Sequence, residues 1–235
     1  QWLLNKSIDK LCNTFWFNHL FFNDKKLQAK GRPIIFHRWG GLGNHRYQIG
    51  FSGDAHANFP TLAFQPYFTA TAANVGYGYW SHDIGGHMQS GANNPELFLR
   101  WIQYGVFSPI LRTHSTKDPA IERRMWKYSN FNLMKDAVDL RYALAPYIYT
   151  QSRITYDTGI SICRPLYYDS PDNDEAYKHG DEYMFGNDIL AAPIVEVASN
   201  GVSTKAIWLP EGKWYETCSG EILQGNKTYT RTFSQ

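Results

Sequence analysis

Residues 36–54 read FHRWGGLGNHRYQIGFSGD, and residues 74–86 read NVGYGYWSHDIGG. Two short apolar runs, 34–36 and 47–51, each end in polar, charged and glycine residues. This pattern is typical of buried parallel strands that lead into loops. Asp54 and Asp83 lie just beyond such runs. In strand-helix barrels the loops at the carboxyl ends of the strands build the active site, so both aspartates are candidate catalytic residues.

Strand-like and helix-like segments alternate over the first half of the chain. Four strands are predicted at 34–36, 47–51, 76–80 and 107–111, and each ends in charged or imidazole side chains. Helices are predicted at 15–28, 62–75 and 95–104, the last with Asn94 as N-cap and Pro95 at its first position. The alternation predicts an α/β fold with a parallel sheet, here half of an eight-stranded barrel.

The pattern of predicted elements changes in the second half of the chain. Residues 121–156 predict a long helical region with a kink or break at Pro146. Short strands separated by Gly, Pro, Asn and Asp turns follow, and they predict a small antiparallel β domain with its boundary near Gly180. These strands are expected at 160–168, 184–195, 205–209 and 214–216.

Composition excludes several classes of partner. The formal net charge is +2 and no block of Lys or Arg occurs, so nucleic acid is not expected as a partner. No apolar run approaches the roughly 20 residues of a membrane helix. Aromatic residues make up 16% of the chain and often neighbour Gly, Asn, Asp or His. Such surfaces suit sugars, although an aromatic-rich core is the alternative interpretation.

No metal or cofactor motif is present. The three cysteines match no metal-ligand spacing, and no HExxH pattern occurs. The glycine-rich residues 40–43 lack a phosphate-binding pattern and predict a tight loop that lets backbone approach a ligand. The sequence therefore predicts neither a metal nor an organic cofactor, and it leaves the cellular compartment undetermined.

Two aspartates each admit a functional and a structural interpretation. Asp54 follows Phe51 and the turn residue Gly53, and a carboxyl against aromatic surface has its neutral form favoured by desolvation, as a general acid requires. A loop or capping aspartate is the alternative. Asp83 could accept hydrogen bonds from a substrate hydroxyl or form a structural ion pair with Arg112 from the neighbouring strand end.

Arg38 and His114 could bind hydroxyl groups or stabilise a carboxylate. His114 is singled out because it shares a predicted strand end with Arg112. No serine sits in a GxSxG elbow and Cys163 has no activating neighbour in sequence, so acyl transfer is not favoured. The remaining histidines with a structural interpretation are His37, His45, His56, His87 and His179.

Six short segments, which occur in the same order as in a known family, carry a specific resemblance. They are residues 38–54, SHDIGG at 81–86, FSPILRTH at 107–114, RPL at 164–166, YMFGNDILAAP at 183–193 and LPEGKWY at 209–215. With these segments the chain resembles glycoside hydrolase family 31, the α-glucosidase and α-xylosidase family. The resemblance implies that residues 1–180 form the second half of a catalytic (β/α)8 TIM barrel. Residues 181–235 then begin the β domain that follows it.

The resemblance also implies roles for particular residues. Asp54 takes the position of the general acid/base, and Arg38 that of the arginine contacting it and the sugar. Asp83 and His114 take positions of sugar-hydroxyl ligands, with Arg112 holding Asp83. Two positions depart from the family pattern. Phe51 replaces a common tryptophan yet still offers a stacking face, and His87 replaces an aromatic residue, which changes the expected shape of the sugar pocket.

The implied activity is that of a retaining exo-acting α-glycoside hydrolase. The expected reaction is release of terminal α-linked glucose from oligosaccharides, with α-xylosidase or α-transglucosidase activity as the alternative in the same class. The family's nucleophilic aspartate belongs at the end of a strand that would precede Gln1, and Gln1-Trp2 is similar to the tail of that motif. A third hypothesis is therefore a catalytically incomplete fragment that binds sugar weakly at most.

Overall fold

The computed structural model describes residues 13–38, 42–88 and 92–234. The predictions about Gln1-Trp2, and about residues 40 and 41 of the glycine-rich loop, lie outside the described residues. None of the helices in these ranges combines the length and apolar character needed to span a bilayer. The described helices are α1 (Asn13–Phe22), α2 (Lys25–Gln28), α3 (Phe59–Thr71), α4 (Pro95–Val106), α5 (Phe131–Ala143) and α6 (Ala145–Thr158).

Side-chain caps decide where the two central helices begin. The carboxamide oxygen of Asn58 accepts the Thr61 N–H at 2.8 Å at the start of α3. The Asn94 side chain likewise accepts the Leu97 N–H at 3.0 Å at the start of α4, which confirms the predicted N-cap. Each cap satisfies an N–H group that has no partner within its own helix.

Two predicted helices are interrupted. The helix expected at 15–28 is two helices, because the Asp24 carboxylate accepts the N–H groups of Lys26 and Leu27 and starts a new helix there. The helical region expected at 121–156 becomes helical only from a 3₁₀ turn at Met125–Lys127 and divides at Leu144. Pro146 lies in the first turn of α6, where its missing N–H leaves no helical bond unmade.

A three-stranded parallel sheet carries the loops of interest and confirms the predicted α/β class. It consists of β1 (Phe36–His37), β2 (Ile49–Phe51) and β3 (Tyr79–Ser81), in the order β1-β2-β3. The register pairs Phe36 with Ile49 and Phe51 with Ser81. All three carboxyl ends therefore lie at the same edge of the sheet.

The prediction of a fourth strand at 107–111 is wrong. Helix α4 continues to Val106, and residues 107–110 form a turn and bends. The Arg141 guanidinium binds the carbonyl oxygens of Val106 and Pro109 at 2.7 and 2.9 Å, and proline has no N–H for a sheet. Instead of a fourth strand, the segment after α4 makes one isolated parallel bridge within the described residues, between Thr113 and Ile84, which follows β3.

The second half is built from short antiparallel strands, as predicted. The strand expected at 160–168 shortens to two residues. The strand expected at 205–209 is longer, Val202–Leu209, and pairs along its whole length with Lys227–Ser234, which was not predicted. The strands are β4 (Cys163–Arg164), β5 (Tyr183–Phe185), β6 (Ile189–Ala191), β7 (Val202–Leu209), β8 (Lys213–Tyr215), β9 (Ile222–Gln224) and β10 (Lys227–Ser234).

One hydrophobic core links the helices to the first of these strands. Trp101 of α4 and both Tyr183 and Phe185 of β5 are fully buried in it. The Tyr183 hydroxyl donates to the Phe107 carbonyl at 2.7 Å. Strand β4 pairs with β5, so one sheet includes residues from both sides of Gly180. The domain boundary near Gly180 stays a prediction.

Candidate functional site

The strand ends place the predicted site residues at one edge of the sheet. Arg38 follows β1, Asp54 follows β2 and Asp83 follows β3. The Ile84–Thr113 bridge then brings the segment after α4 alongside β3. We call the resulting group of charged and imidazole side chains the strand-end cluster, which consists of Arg38, Asp54, Asp83, Arg112 and His114.

Asp54 and Arg38 form an ion pair and both line a cavity. The Arg38 Nη1 lies 2.9 Å from Asp54 Oδ2, and the two side chains are 37% and 31% exposed. The cavity has a volume of about 430 Å³ and is also lined by Phe51, Phe68 and Trp80. Asp54 is thus a half-buried carboxylate beside a guanidinium. Its local sequence suggested only an aromatic setting, because the arginine comes from the preceding strand.

Asp83 and Arg112 form a second, more buried ion pair. The Asp83 side chain is 0% exposed and accepts a hydrogen bond from Arg112 Nη2. The Arg112 guanidinium lies 4.9 Å from the Phe36 ring centroid and 5.4 Å from that of Phe51. These rings themselves stack with centroids 4.8 Å apart. The cation is therefore positioned by a carboxylate and by two aromatic faces.

His87 joins the site, although the sequence had favoured a structural interpretation for it. Its ring stacks on His114 with centroids 4.8 Å apart, and its Nε2 lies 4.0 Å from Asp54 Oδ2. The available signal was its position four residues after Asp83, beyond a Gly-Gly turn. Together Asp83, His87 and His114 bring three potential metal-ligand atoms within 4.8 Å of one another, which their sequence spacing did not reveal.

The electrostatic surroundings favour neutral His114. Burial lowers the pKa of its imidazole below the ordinary value of 6.5, and the positive charge of Arg112 acts in the same direction. The carboxylates of Asp83 and Asp54 act against this shift. A neutral imidazole offers one donor and one acceptor, which is the combination that pairs with a sugar hydroxyl.

His82 stabilises the backbone just before Asp83. Its Nδ1 accepts from the Trp101 indole N–H at 2.9 Å, so its proton resides on Nε2, which donates to Ser108 Oγ at 2.7 Å. Burial lowers the His82 pKa to about 3. The neutral ring therefore links the end of β3 to α4 through Trp101 and to the turn after α4 through Ser108, which is a structural role.

Arg123 connects two loops of the site and was missed by sequence reasoning. Its guanidinium donates to the carbonyl oxygens of Gly85 and Gly86 at 2.7 and 2.8 Å, and to that of His114 at 2.8 Å. Since these carbonyls belong to segments far apart in sequence, no local pattern indicates the contact. Arg123 positions the loop after β3 against the segment that carries His114.

Comparison with known proteins gives two adjacent family matches. Residues 7–151 match the family described as "Glycosyl hydrolases family 31 TIM-barrel domain". Residues 159–234 match "Glycosyl hydrolase family 31 C-terminal domain".

Two curated relatives illustrate the similarity. A protein of Oryza sativa subsp. japonica named "Probable glucan 1,3-alpha-glucosidase" is 32% identical over 214 residues, which are 90% of this chain and 23% of the relative. An alpha-xylosidase of Saccharolobus solfataricus is 34% identical over 206 residues, which are 83% of this chain and 27% of the relative. The chain thus spans about a quarter of the length of these relatives.

Solved structures agree with the sequence matches. A family 31 α-xylosidase from a soil metagenome, complexed with xylose, superposes with a TM-score of 0.82 at 30% identity and covers 92% of this chain and 35% of that one. A cycloalternan-degrading enzyme from Trueperella pyogenes, complexed with cycloalternan, gives a TM-score of 0.86 at 26% identity. It covers 94% of this chain and 31% of that one.

Proposed function

The chain belongs to glycoside hydrolase family 31, and we propose that the protein carrying it is a retaining, exo-acting α-glycoside hydrolase. Its substrate is an oligosaccharide with a terminal α-linked glucose. The observation that supports this proposal is the placement of Asp54 just after the carboxyl end of β2, where it is paired with Arg38 and both residues line a cavity of about 430 Å³. That edge of a strand-helix barrel is where catalytic groups gather.

Asp54 is the general acid and base of the proposed reaction. Its carboxyl group protonates the leaving glycosidic oxygen while a second carboxylate attacks the anomeric carbon and forms a glycosyl-enzyme intermediate. Asp54 then takes a proton from the water that releases the sugar. The Arg38 guanidinium, 2.9 Å away, stabilises the carboxylate present after the first proton transfer.

A second carboxylate must act as nucleophile. Asp83 is poorly placed for attack, because it is completely buried and ion-paired with Arg112. Its geometry suits a hydrogen-bond acceptor for a substrate hydroxyl, with His114 as a second ligand. We therefore assign the nucleophile to an aspartate outside the described residues.

The test is an Asp54→Asn variant of the natural protein that carries this chain. The variant should lose turnover of natural oligosaccharides by about 100-fold or more, the ordinary contribution of a general acid. It should retain much of the activity on activated aryl α-glucosides, whose leaving groups need little protonation. Asp136→Asn, an exposed carboxylate change on α5, should leave both activities unchanged. Equal losses on the two substrates would contradict the role of Asp54.

A second candidate function is α-xylosidase or α-transglucosidase activity. The relatives include proteins named alpha-xylosidase and 1,6-alpha-glucosyltransferase, and His87 stands beside the proposed sugar-binding residue His114. Turnover of an aryl α-glucoside against that of an aryl α-xyloside distinguishes the sugars. Product analysis at high substrate concentration detects transfer.

A further inference from the structure

We infer that Arg141 of α5 is a positioning residue for the buried ion pair between Asp83 and Arg112. It lies outside the strand-end cluster and acts through main-chain carbonyl groups. In the proposed glycosidase function, on which this inference rests, Asp83 accepts a hydrogen bond from a substrate hydroxyl. A side chain remote from the substrate thus determines how tightly the site binds sugar.

The Arg141 guanidinium binds three carbonyl groups of one turn. Its Nη1 donates to the carbonyl oxygens of Val106 and Ser108 at 2.7 and 2.5 Å. Its Nη2 donates to that of Pro109 at 2.9 Å. All three contacts are with the main chain, so a residue on α5 fixes the path of the chain where it leaves α4.

The turn needs such a donor because it follows the end of a helix. Helix α4 ends at Val106, and the last carbonyl groups of a helix have no partner within it. The negative end of the helix dipole also favours a cation at this point. The remaining carbonyl of the turn, that of Phe107, accepts from the Tyr183 hydroxyl at 2.7 Å. Side chains from later segments therefore satisfy four successive carbonyls, and Arg141 supplies three of these contacts.

One connection from this turn to Asp83 runs through Ser108. The Ser108 carbonyl binds Arg141, while its hydroxyl accepts the N–H of His82 Nε2 at 2.7 Å. Ser108 and His82 are both completely buried, and His82 directly precedes Asp83. A shift of the turn would therefore displace or break the hydrogen bond that holds the residue next to Asp83.

The second connection runs along the chain to Arg112. Only two residues separate Pro109, whose carbonyl Arg141 binds, from Arg112. The Arg112 side chain pairs with Asp83, and its carbonyl accepts the Ile84 N–H at 3.2 Å. Both partners of the buried ion pair are thus connected to the turn that Arg141 holds.

These connections predict a particular kinetic effect. A misplacement of about 1 Å in a binding group can cost about 100-fold in activity, even when the change lies far from the chemistry. Asp54 is paired with Arg38, and both follow other strands of the sheet. Loss of Arg141 should therefore weaken sugar binding more than proton transfer, so KM should rise while kcat changes little.

The experiment compares Arg141→Met and Arg141→Lys in the natural protein that carries this chain, on an oligosaccharide with terminal α-linked glucose. Arg141→Met should raise KM by about tenfold or more and change kcat by less than about threefold. Arg141→Lys keeps a cation at the end of α4 and should return KM to within about threefold of the wild type. If Arg141→Met does not fold, Arg141→Gln replaces it with the same expected rise in KM.

Tyr147→Phe is the matched control for lost stability. It removes a hydroxyl that donates to the Phe185 carbonyl at 2.9 Å and accepts the Asp188 N–H at 3.1 Å, away from the turn after α4. It should lower the melting temperature, as Arg141→Met does, and leave KM unchanged. If KM of the folded Arg141 variant stays within about twofold of the wild type, or if Tyr147→Phe raises KM equally, the proposal is wrong.

Amide hydrogen exchange provides a measurement that needs no turnover. In Arg141→Met the Ile84 N–H, bound to the Arg112 carbonyl, and the His114 N–H, bound to the Ile84 carbonyl, should exchange about ten times faster or more. The amides of β7, which pairs with β10, should exchange as in the wild type. Unchanged exchange at Ile84 and His114 contradicts the positioning role. Faster exchange there, in a protein whose wild type cleaves no α-glycoside, contradicts the proposed function alone.

Discussion

Arg112 and Asp83 form an ion pair whose carboxylate is completely buried and whose guanidinium is 28% exposed. The two residues are 29 positions apart and belong to segments joined by a single parallel bridge. The pair therefore holds the segment after α4 against the end of β3, where a continuous strand ladder is absent.

Replacing Arg112 by Met should lower the free energy of unfolding by about 3–5 kcal/mol, because it leaves a buried carboxylate without its cation. The Met side chain keeps apolar contact with the Phe36 and Phe51 rings. Adding Asp83→Asn should restore much of the loss, since the uncompensated charge disappears. Urea unfolding of both variants measures the coupling, and a loss below about 1 kcal/mol in the single variant would contradict it.

Arg38→Gln should affect activity far more than stability. The Arg38–Asp54 pair is roughly one-third exposed on each side, so its contribution to stability is at most about 1 kcal/mol. Turnover of oligosaccharides should fall on the order of 10- to 100-fold, because the guanidinium stabilises the proposed acid/base carboxylate. Steady-state kinetics and melting temperature measure the two effects. Arg153→Gln, which removes an exposed partner of Asp157, is the matched control and should change neither.

Gly86→Ala should destabilise the loop that carries His87. Gly86 has φ +84°, and an added Cβ would lie 2.5 Å from the Ala57 Cα. Gly159 has a similar φ of +76° but open space around it, so Gly159→Ala should cost about 1 kcal/mol from backbone strain alone. Gly86→Ala adds a backbone clash and should cost at least twice as much. Comparable unfolding free energies for the two variants would show that the loop accommodates the methyl group.

Arg123→Lys should loosen both loops of the site. A lysine ammonium cannot reproduce the planar set of hydrogen bonds to the Gly85, Gly86 and His114 carbonyls. We expect a loss of about 1–3 kcal/mol in unfolding free energy and faster amide exchange in both segments. Arg124→Lys is the control, since Arg124 is 60% exposed and pairs with Glu122. Similar exchange in the two variants would argue against the connecting role of Arg123.

Glu182 should make stability decrease as the pH rises. Its side chain is fully buried, and burial raises its pKa from 4.5 to about 8. The folded state then binds the proton more tightly than the unfolded state does. The contribution of Glu182 to the free energy of unfolding is therefore largest below about pH 4.5 and falls, by up to about 1.4 kcal/mol per pH unit, until about pH 8.

Melting temperatures of Glu182→Gln against the wild type, from pH 5 to 8, test this dependence. The variant keeps an acceptor for the Trp208 N–H and removes the ionisation, so its curve should be flatter. Glu175→Gln is the control. Glu175 is on the surface, and its hydrogen bond with Lys178 lowers its pKa, so it titrates below this range. Parallel curves for wild type and Glu182→Gln would show that Glu182 is not the group responsible.

Local patterns predicted the elements that depend on neighbours in sequence. The cap at Asn94, the parallel strand ends after Phe36 and Phe51, and the antiparallel second half all follow from residues within a few positions of one another. The strand predicted at 107–111 was wrong for the opposite reason. The carbonyl oxygens of Ser108 and Pro109 accept hydrogen bonds from Arg141, more than 30 positions later.

The α/β architecture and the order of the charged loops could be predicted from local patterns, because hydrophobic periodicity and turn residues act over short distances along the chain. Several contacts between side chains of the site became visible only in the folded arrangement. It stacks His87 on His114 and places Arg123 across two loops. These contacts depend on strand register and on packing between distant segments, and no spacing along the chain encodes such distances.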